Sequence, residues 1–224
     1  MYELLDETAA KVILAVNGGD SIRRVAQRIQ TPYETVRLAV NELEAAGYVQ
    51  YDQGLTVIDG RVRAAALELV ASSARISPPP IEEAYVLPHF GNWPFAFTHI
   101  DAVYIWTRGG YQIAREPDDY PLFLAVANED VPDWEAYFER FGISTGSERQ
   151  PSDAVSGPLQ VVLYPQPELD VEWVDGYPVI PREKTIEYMQ EQFAHFQPAL
   201  AMLERMYDDI DLDVAYRETD RIEP

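Results

Sequence analysis

Residues 20–58 read DSIRRVAQRIQTPYETVRLAVNELEAAGYVQYDQGLTVI, and the spacing of their apolar side chains sets the expectation for the fold. Ile22, Val25, Ala26 and Ile29 recur at i, i+3, i+4 and i+7, which lines one face of a short helix. Asp20 and Ser21 precede that stripe and can accept from its free N–H groups. Thr31-Pro32 breaks the chain and restarts it. Thr31 is expected as an N-cap and Pro32 as the first helical residue, where a missing N–H costs nothing. Val36, Ala39, Val40 and Leu43 make a second helical stripe, which Gly47 ends as the residue that turns left-handed. Residues 48–51 and 55–58 are short β-rich pieces joined by Asp52-Gln53-Gly54, so a hairpin follows.

Upstream, residues 2–16 place Leu5, Ala9, Val12, Ile13 and Val16 on a first helix, ended by Asn17-Gly18-Gly19. Downstream, Asp59 can cap a helix to about residue 73, with Val62, Ala66, Leu69 and Val70 on one side. Helix, tight turn, helix, hairpin is a winged helix-turn-helix. TPYETVRLAVNELEAAGYVQ (31–50) resembles the second helix and wing of prokaryotic winged-helix transcriptional regulators, through Val36, Val40, Leu43, Ala46, Gly47, Tyr48 and Val49. The resemblance covers about a quarter of the chain. It implies a regulator of transcription, a repressor by expectation, that binds double-stranded DNA as a homodimer. Winged helices also serve as protein-binding modules or as buried scaffolds. With Val36, Val40 and Leu43 facing the core, Tyr33, Glu34, Arg37 and Leu38 fall on the turn that would enter a major groove. Arg37 is the best guanine reader, since its fork matches O6 and N7. Arg23, Arg24, Arg28, Thr31 and Asn41 flank that turn and suit phosphate contacts, while any of the arginines could instead pair with a neighbouring acid. Gln53, in the hairpin turn, completes the DNA-binding set.

The charge is unusual for such a protein. The 224 residues carry a net charge of −21. Residues 1–75 hold eight basic and ten acidic side chains, and residues 76–224 hold nine and 28, so the net negative charge lies almost wholly outside the part expected to bind DNA. Lys11 and Lys184 are the only lysines. Dispersed acids with lysine nearly absent resemble the proteins of extreme halophiles; an acidic interaction surface on a mesophilic protein is the alternative. There is no cysteine, which excludes disulfides, thiolate zinc sites and cysteine nucleophiles and fits a cytoplasmic protein. No run approaches the roughly 20 apolar residues that cross a bilayer, so no membrane partner is expected, nor is a signal peptide.

The expected fold class is α+β: a winged helix-turn-helix over residues 1–74, a proline-rich linker over 75–83 (RISPPP at 75–80), and an acidic mixed α/β domain over 84–224 for ligand sensing or protein interaction. Residues 101–107 (DAVYIWT) read as a strand, turned by Arg108-Gly109-Gly110 into a return at 111–114. Residues 122–127 (LFLAVA) read as a strand covered on both faces. Residues 133–141 are helical, with the stripe Trp134, Tyr137, Phe138 and Phe141 as a core face. Residues 144–157 read as a loop, and 159–164 and 169–174 as strands. From Pro181, Ile186, Met189, Phe193, Phe196, Leu200, Leu203 and Tyr207 form a heptad seam on one long helix kinked at Pro198. That seam packs on the sheet or pairs with a second copy. The acidic run 208–213 and the tail are expected as a solvated face and a fray. The lead-in GYPVIPREKT (176–185) resembles that of antitoxins of abortive-infection, type IV toxin–antitoxin systems. The resemblance implies autoregulation and a toxin-like protein partner at a nucleotidyltransferase-like domain without its chemistry.

No catalytic residue, metal or cofactor is expected. Gly146-Ser147 lacks the strand-borne carboxylate pair that a nucleotidyltransferase needs. Asp170 and Glu172 share the solvent face of a strand. His99 and Asp101 lack a third partner, and His195 lies on the last helix. His89 lies in LPHFGNWPF (87–95), whose aromatics and Asn92 could line a pocket.

Overall fold

Helix α1 (Glu7–Ala15) is the hub of the first half, because its last turn is apolar all round: Val12, Ile13, Leu14 and Ala15 are all fully buried. The structure is a computed structural model that describes residues 7–112, 120–147, 159–212 and 214. Against α1 pack α2 (Ile22–Arg28) and α3 (Tyr33–Ala45), whose stripes Ile22, Val25, Ala26 and Val36, Ala39, Val40, Leu43 are buried as spaced. Ser21 caps α2 by accepting from the Arg24 N–H at 3.2 Å. At the end of α3 the Tyr48 N–H reaches the Leu43 carbonyl and the Gly47 N–H that of Glu44, a Schellman closure that the left-handed Gly47 (φ 79°) permits. Strands β1 (Val49–Tyr51) and β2 (Leu55–Val57) form the antiparallel hairpin, Gln50 opposite Thr56. Asp20 bridges to Leu55, which ties the α1–α2 loop to the hairpin. Gly54 is required there, because a Cβ would stand 2.5 Å from the Gly19 backbone.

Asp59 caps α4 (Gly60–Ile76), three residues longer than expected, and its buried side is narrow: Ala66, Ala71 and Ala74. Of the expected stripe, Val62 and Val70 are half-buried and Leu69 is exposed. Two short 3-10 turns, Ile81–Glu83 and Leu87–Phe90, lead into the second half. There β3 (Phe95–Phe97), β4 (Tyr120–Ala127), β5 (Ser144–Ser147), β6 (Leu159–Gln166), β7 (Glu172–Val174) and β8 (Tyr177–Val179) form one mixed sheet in the order β5-β6-β4-β3-β8-β7. β4 runs parallel to β6 and antiparallel to β3. Helices α5 (His99–Trp106), α6 (Val131–Arg140), α7 (Arg182–Glu191) and α8 (Phe193–Met206) complete the α+β fold. Among the described residues, no helix is long and apolar enough to cross a membrane.

Several expectations need correction. Residues 101–107 are the body of α5 and not a strand. Their β-branched and aromatic content favours a strand locally, but Ala102, Ile105 and Trp106 bury at i, i+3, i+4 against the sheet, and tertiary packing overrides propensity. Tyr111 and Gln112 are not in a strand, and 113–114 lie outside the described residues. The loop expected at 144–157 opens with β5, paired to β6; residues 148–158 lie outside the described residues. The strand at 169–174 shortens to β7. The final helix breaks at Gln192 (φ −119°, ψ 41°), while Pro198 sits inside α8. That turn lets α7 and α8 pack on each other, with the Tyr188 and Phe196 rings 5.2 Å apart. The seam is spent inside the chain, since Met189, Phe196, Leu200 and Leu203 are buried and Phe193 alone of its members is exposed. The aromatic stripe of α6 is core, as expected. Asp208, Asp209 and Asp211 are solvated, and the tail from 215 and residues 1–6 lie outside the described residues.

The two halves meet through polar bolts as well as apolar contact. The Arg63 guanidinium donates to the Leu14 carbonyl at the end of α1 (2.9 Å) and to those of Phe90 (3.2 Å) and Gly91 (3.3 Å). Lys11 reaches Glu83 at 2.5 Å and Arg140 reaches Glu68 at 2.6 Å. Buried residues from both halves form one continuous apolar cluster.

Candidate nucleic-acid interface

The exposed surface of α2, α3 and the hairpin gathers most of the residues singled out from the sequence. Tyr33 (44% exposed), Glu34, Leu38 (56% exposed) and Asn41 project from α3, with Arg37 half-buried beside them. They lie opposite the buried Val36, Val40 and Leu43, as helical periodicity requires. Arg23 and Arg24 are exposed on α2 and Gln53 on the hairpin turn. Tyr33 and Leu38, two large side chains left in water on the outward side of α3, have no part in the protein's own core, so they are available to a partner.

Arg37 is already engaged. Its Nη2 lies 2.7 Å and its Nε 2.9 Å from Glu34 Oε2, one turn earlier on α3. Both side chains are solvated, so the pair is worth about 0.2–0.5 kcal/mol and a better acceptor can displace it. Arg24 approaches Asp20 only to 3.7 Å and remains 62% exposed, while Arg23 has no ion pair among the described residues. Glu34, Glu42, Glu44 and Asp52 are exposed on the same surface, so the face is not strongly cationic.

Arg28 is not on this surface. It is 1% exposed, with Nη1 2.6 Å from Asp20 Oδ2 and 2.5 Å from the Ala15 carbonyl. Position 28 falls on the inner side of α2, three residues after Val25, so its head reaches back to the α1–α2 loop. It is an internal bolt between α1 and α2 and cannot touch a phosphate. Thr31 also differs from expectation. Pro32 holds the cap position of α3, and the half-buried Thr31 hydroxyl donates to the Ile29 carbonyl at 3.0 Å. Gln30, with φ 52°, makes the turn between the two helices.

Elsewhere, the His99–Asp101 pair is structural on the Asp101 side. Asp101 is fully buried, accepts from the Phe123 N–H at 2.7 Å and from the Tyr85 hydroxyl, and so fastens α5 to β4 and the 81–86 segment. His99 adopts φ 51° at the start of α5 and packs its ring, tilted by 31°, on Tyr164 with centroids 3.8 Å apart. Asp170 and Glu172 are solvated, and Asp170 pairs with Lys184 at 2.8 Å. No cluster of three metal-binding side chains occurs among the described residues. Comparison of the chain with protein-family models, curated proteins and solved structures produced no match.

Proposed function

We propose that α1–α3 and the β1–β2 hairpin form a winged helix-turn-helix and that the protein is a DNA-binding transcriptional regulator acting in the cytoplasm. The observation that carries this is the outward face of α3: Tyr33, Arg37, Leu38 and Asn41 are presented along it, with no role in the core, on a helix whose opposite face is fully buried. A helix so placed suits the major groove, with Arg37 leaving Glu34 for a guanine edge and Arg23 and Arg24 lying toward the backbone. Few cationic contacts on an acidic molecule make binding depend on base reading more than on bulk charge. A symmetric pair would place two such helices in successive grooves about 34–36 Å apart. Because the seam of α7 and α8 is consumed internally, the two-fold contact is assigned to α4, which leaves Leu69 and Ile76 (88% exposed) in water. The test is selection of bound duplexes from a random pool by the full chain. A shared motif retained by wild type and lost by Arg37→Ala supports the proposal; recovery of unselected sequence counts against it.

A second reading, antitoxin or adaptor, is favoured by the lead-in at Pro181, which opens α7, and by the concentration of acid in residues 76–224. It requires a basic protein partner encoded next to this chain, and copurification of that neighbour would show it.

A further inference from the structure

Beneath the turn between β7 and β8 lies a cleft that neither the core nor the α3 face explains. One lobe, of about 440 Å³, is walled by Pro88, His89, Trp93, Phe95, Trp173 and Pro178. A second lobe, of about 550 Å³, shares Asn17 and Trp173 with it and is lined by Asp20, Arg24, Arg28 and Asp175. Cavities of this size hold small molecules. The Gly176 turn closes the cleft by direct contact with α2: a Cβ on Gly176 would lie 2.8 Å from Gln27 Cβ.

Two buried nitrogens here lack partners. His89 is 4% and Arg28 1% exposed, yet neither His89 Nε2 nor Arg28 Nε makes a hydrogen bond among the described residues. A buried polar atom left unpaired costs about 1–3 kcal/mol, and since both nitrogens are closed off from solvent, only a guest that displaces part of the lining recovers that cost. Burial, and the nearby Arg28 charge, hold the His89 imidazole well below its ordinary pKa, so it is neutral and can donate or accept. The walls are aromatic. Trp93 is fixed edge-on against Trp134 at 5.7 Å, and the exposed Trp173 ring covers the Arg28 guanidinium at 5.9 Å. Flat aromatic walls favour a flat aromatic guest. The charges cancel, with two arginines facing two aspartates, so nothing recruits a net charge and an anion would meet the repulsion of a chain at −21.

We infer that this cleft binds a small, uncharged, planar aromatic molecule bearing a carbonyl or ring-nitrogen acceptor, and that its occupancy is transmitted through α2 to the α3 face. The second clause rests on the function proposed above. Arg28 joins the cleft to Asp20 and the end of α1, and Arg24 stands on the rim, so a guest that draws on Arg28 or lifts the Gly176 turn alters the seat of α2.

Benzamide and nicotinamide serve as probes, with benzoate and cyclohexanecarboxamide as charged and non-planar counterparts, titrated into the full chain by ligand-observed magnetic resonance and calorimetry. Saturable binding of the planar amides at one site, at least tenfold weaker in Trp173→Ala and restored in Trp173→Phe, is expected. Trp173 is more than half exposed, so its loss leaves the fold intact, which circular dichroism checks. Absence of saturable binding at millimolar probe, equal binding of the non-planar amide, or unchanged affinity in Trp173→Ala overturns the site. Duplex affinity is then measured with and without saturating probe: a change of threefold or more, absent in Trp173→Ala, supports transmission, and no change overturns it. A chain that binds probe but no duplex in either state refutes the proposed function and the transmission, and leaves the site standing.

Discussion

Replacing Arg28 by alanine separates a buried arginine from the solvent-facing ones on the same helix. Arg28 is joined to Asp20 at 2.6 Å, and Asp20 is itself 4% exposed. Removing one partner of a buried pair costs about 3–5 kcal/mol, because the other charge stays buried. Asp20 retains the Asn17 N–H at 2.8 Å, which moves the loss to the low end, while the stranded Ala15 carbonyl adds about 1 kcal/mol. A destabilisation of about 3–4 kcal/mol follows, a large share of the roughly 5–15 kcal/mol that holds a domain folded. Arg24→Ala, by contrast, removes a long 3.7 Å approach by a solvated guanidinium, leaves the Arg28–Asp20 pair in place, and costs less than about 0.5 kcal/mol. Urea denaturation followed by circular dichroism measures both. The double variant Asp20→Asn/Arg28→Met loses less than the sum of its parts, since it leaves no unpaired buried charge. An Arg28→Ala protein as stable as wild type but deficient in duplex binding refutes the assignment of Arg28 to the interior.

Four further outcomes are expected. Arg37→Ala costs about 1–3 kcal/mol in specific duplex binding with the melting temperature unchanged, whereas Arg23→Ala weakens all duplexes alike; anisotropy on matched and scrambled duplexes distinguishes them. Gly54→Ala costs about 1–3 kcal/mol of stability in thermal unfolding, because its Cβ would overlap the Gly19 backbone at 2.5 Å and force the hairpin from the α1–α2 loop. His89 is held neutral in the fold, so the unfolded chain takes up a proton first as pH falls. Its contribution is complete above about pH 6.5 and declines below that by about 1.4 kcal/mol per unit, a slope that His89→Phe flattens in urea titrations at pH 7.5 and 5.5. If the dispersed acids are a halophilic adaptation, circular dichroism keeps its folded signal at molar salt and loses it as salt is removed, where unscreened carboxylates repel.

The helices of the first half were legible because each carries its own apolar stripe and punctuation: Ser21, Gly47 and Asp59 act where the sequence puts them. Residues 101–107 were not, because β-branched and aromatic side chains describe a strand or a buried helix equally well until a sheet lies beside them. The burial of Arg28 was hidden for a related reason. Asp20 is eight residues away, and only the fold of the α1–α2 loop brings the two together. The pocket aromatics around His89 could be named from LPHFGNWPF, but Trp173 arrives from a hairpin some eighty residues later, and position 176 admits only glycine because α2 lies against it.

Genome-wide occupancy of the native protein in its own cells tests the central claim most directly. The account predicts discrete sites sharing one two-fold-related motif, lost in Arg37→Ala at equal protein level. Occupancy indistinguishable from input DNA, with the protein folded and abundant, contradicts it.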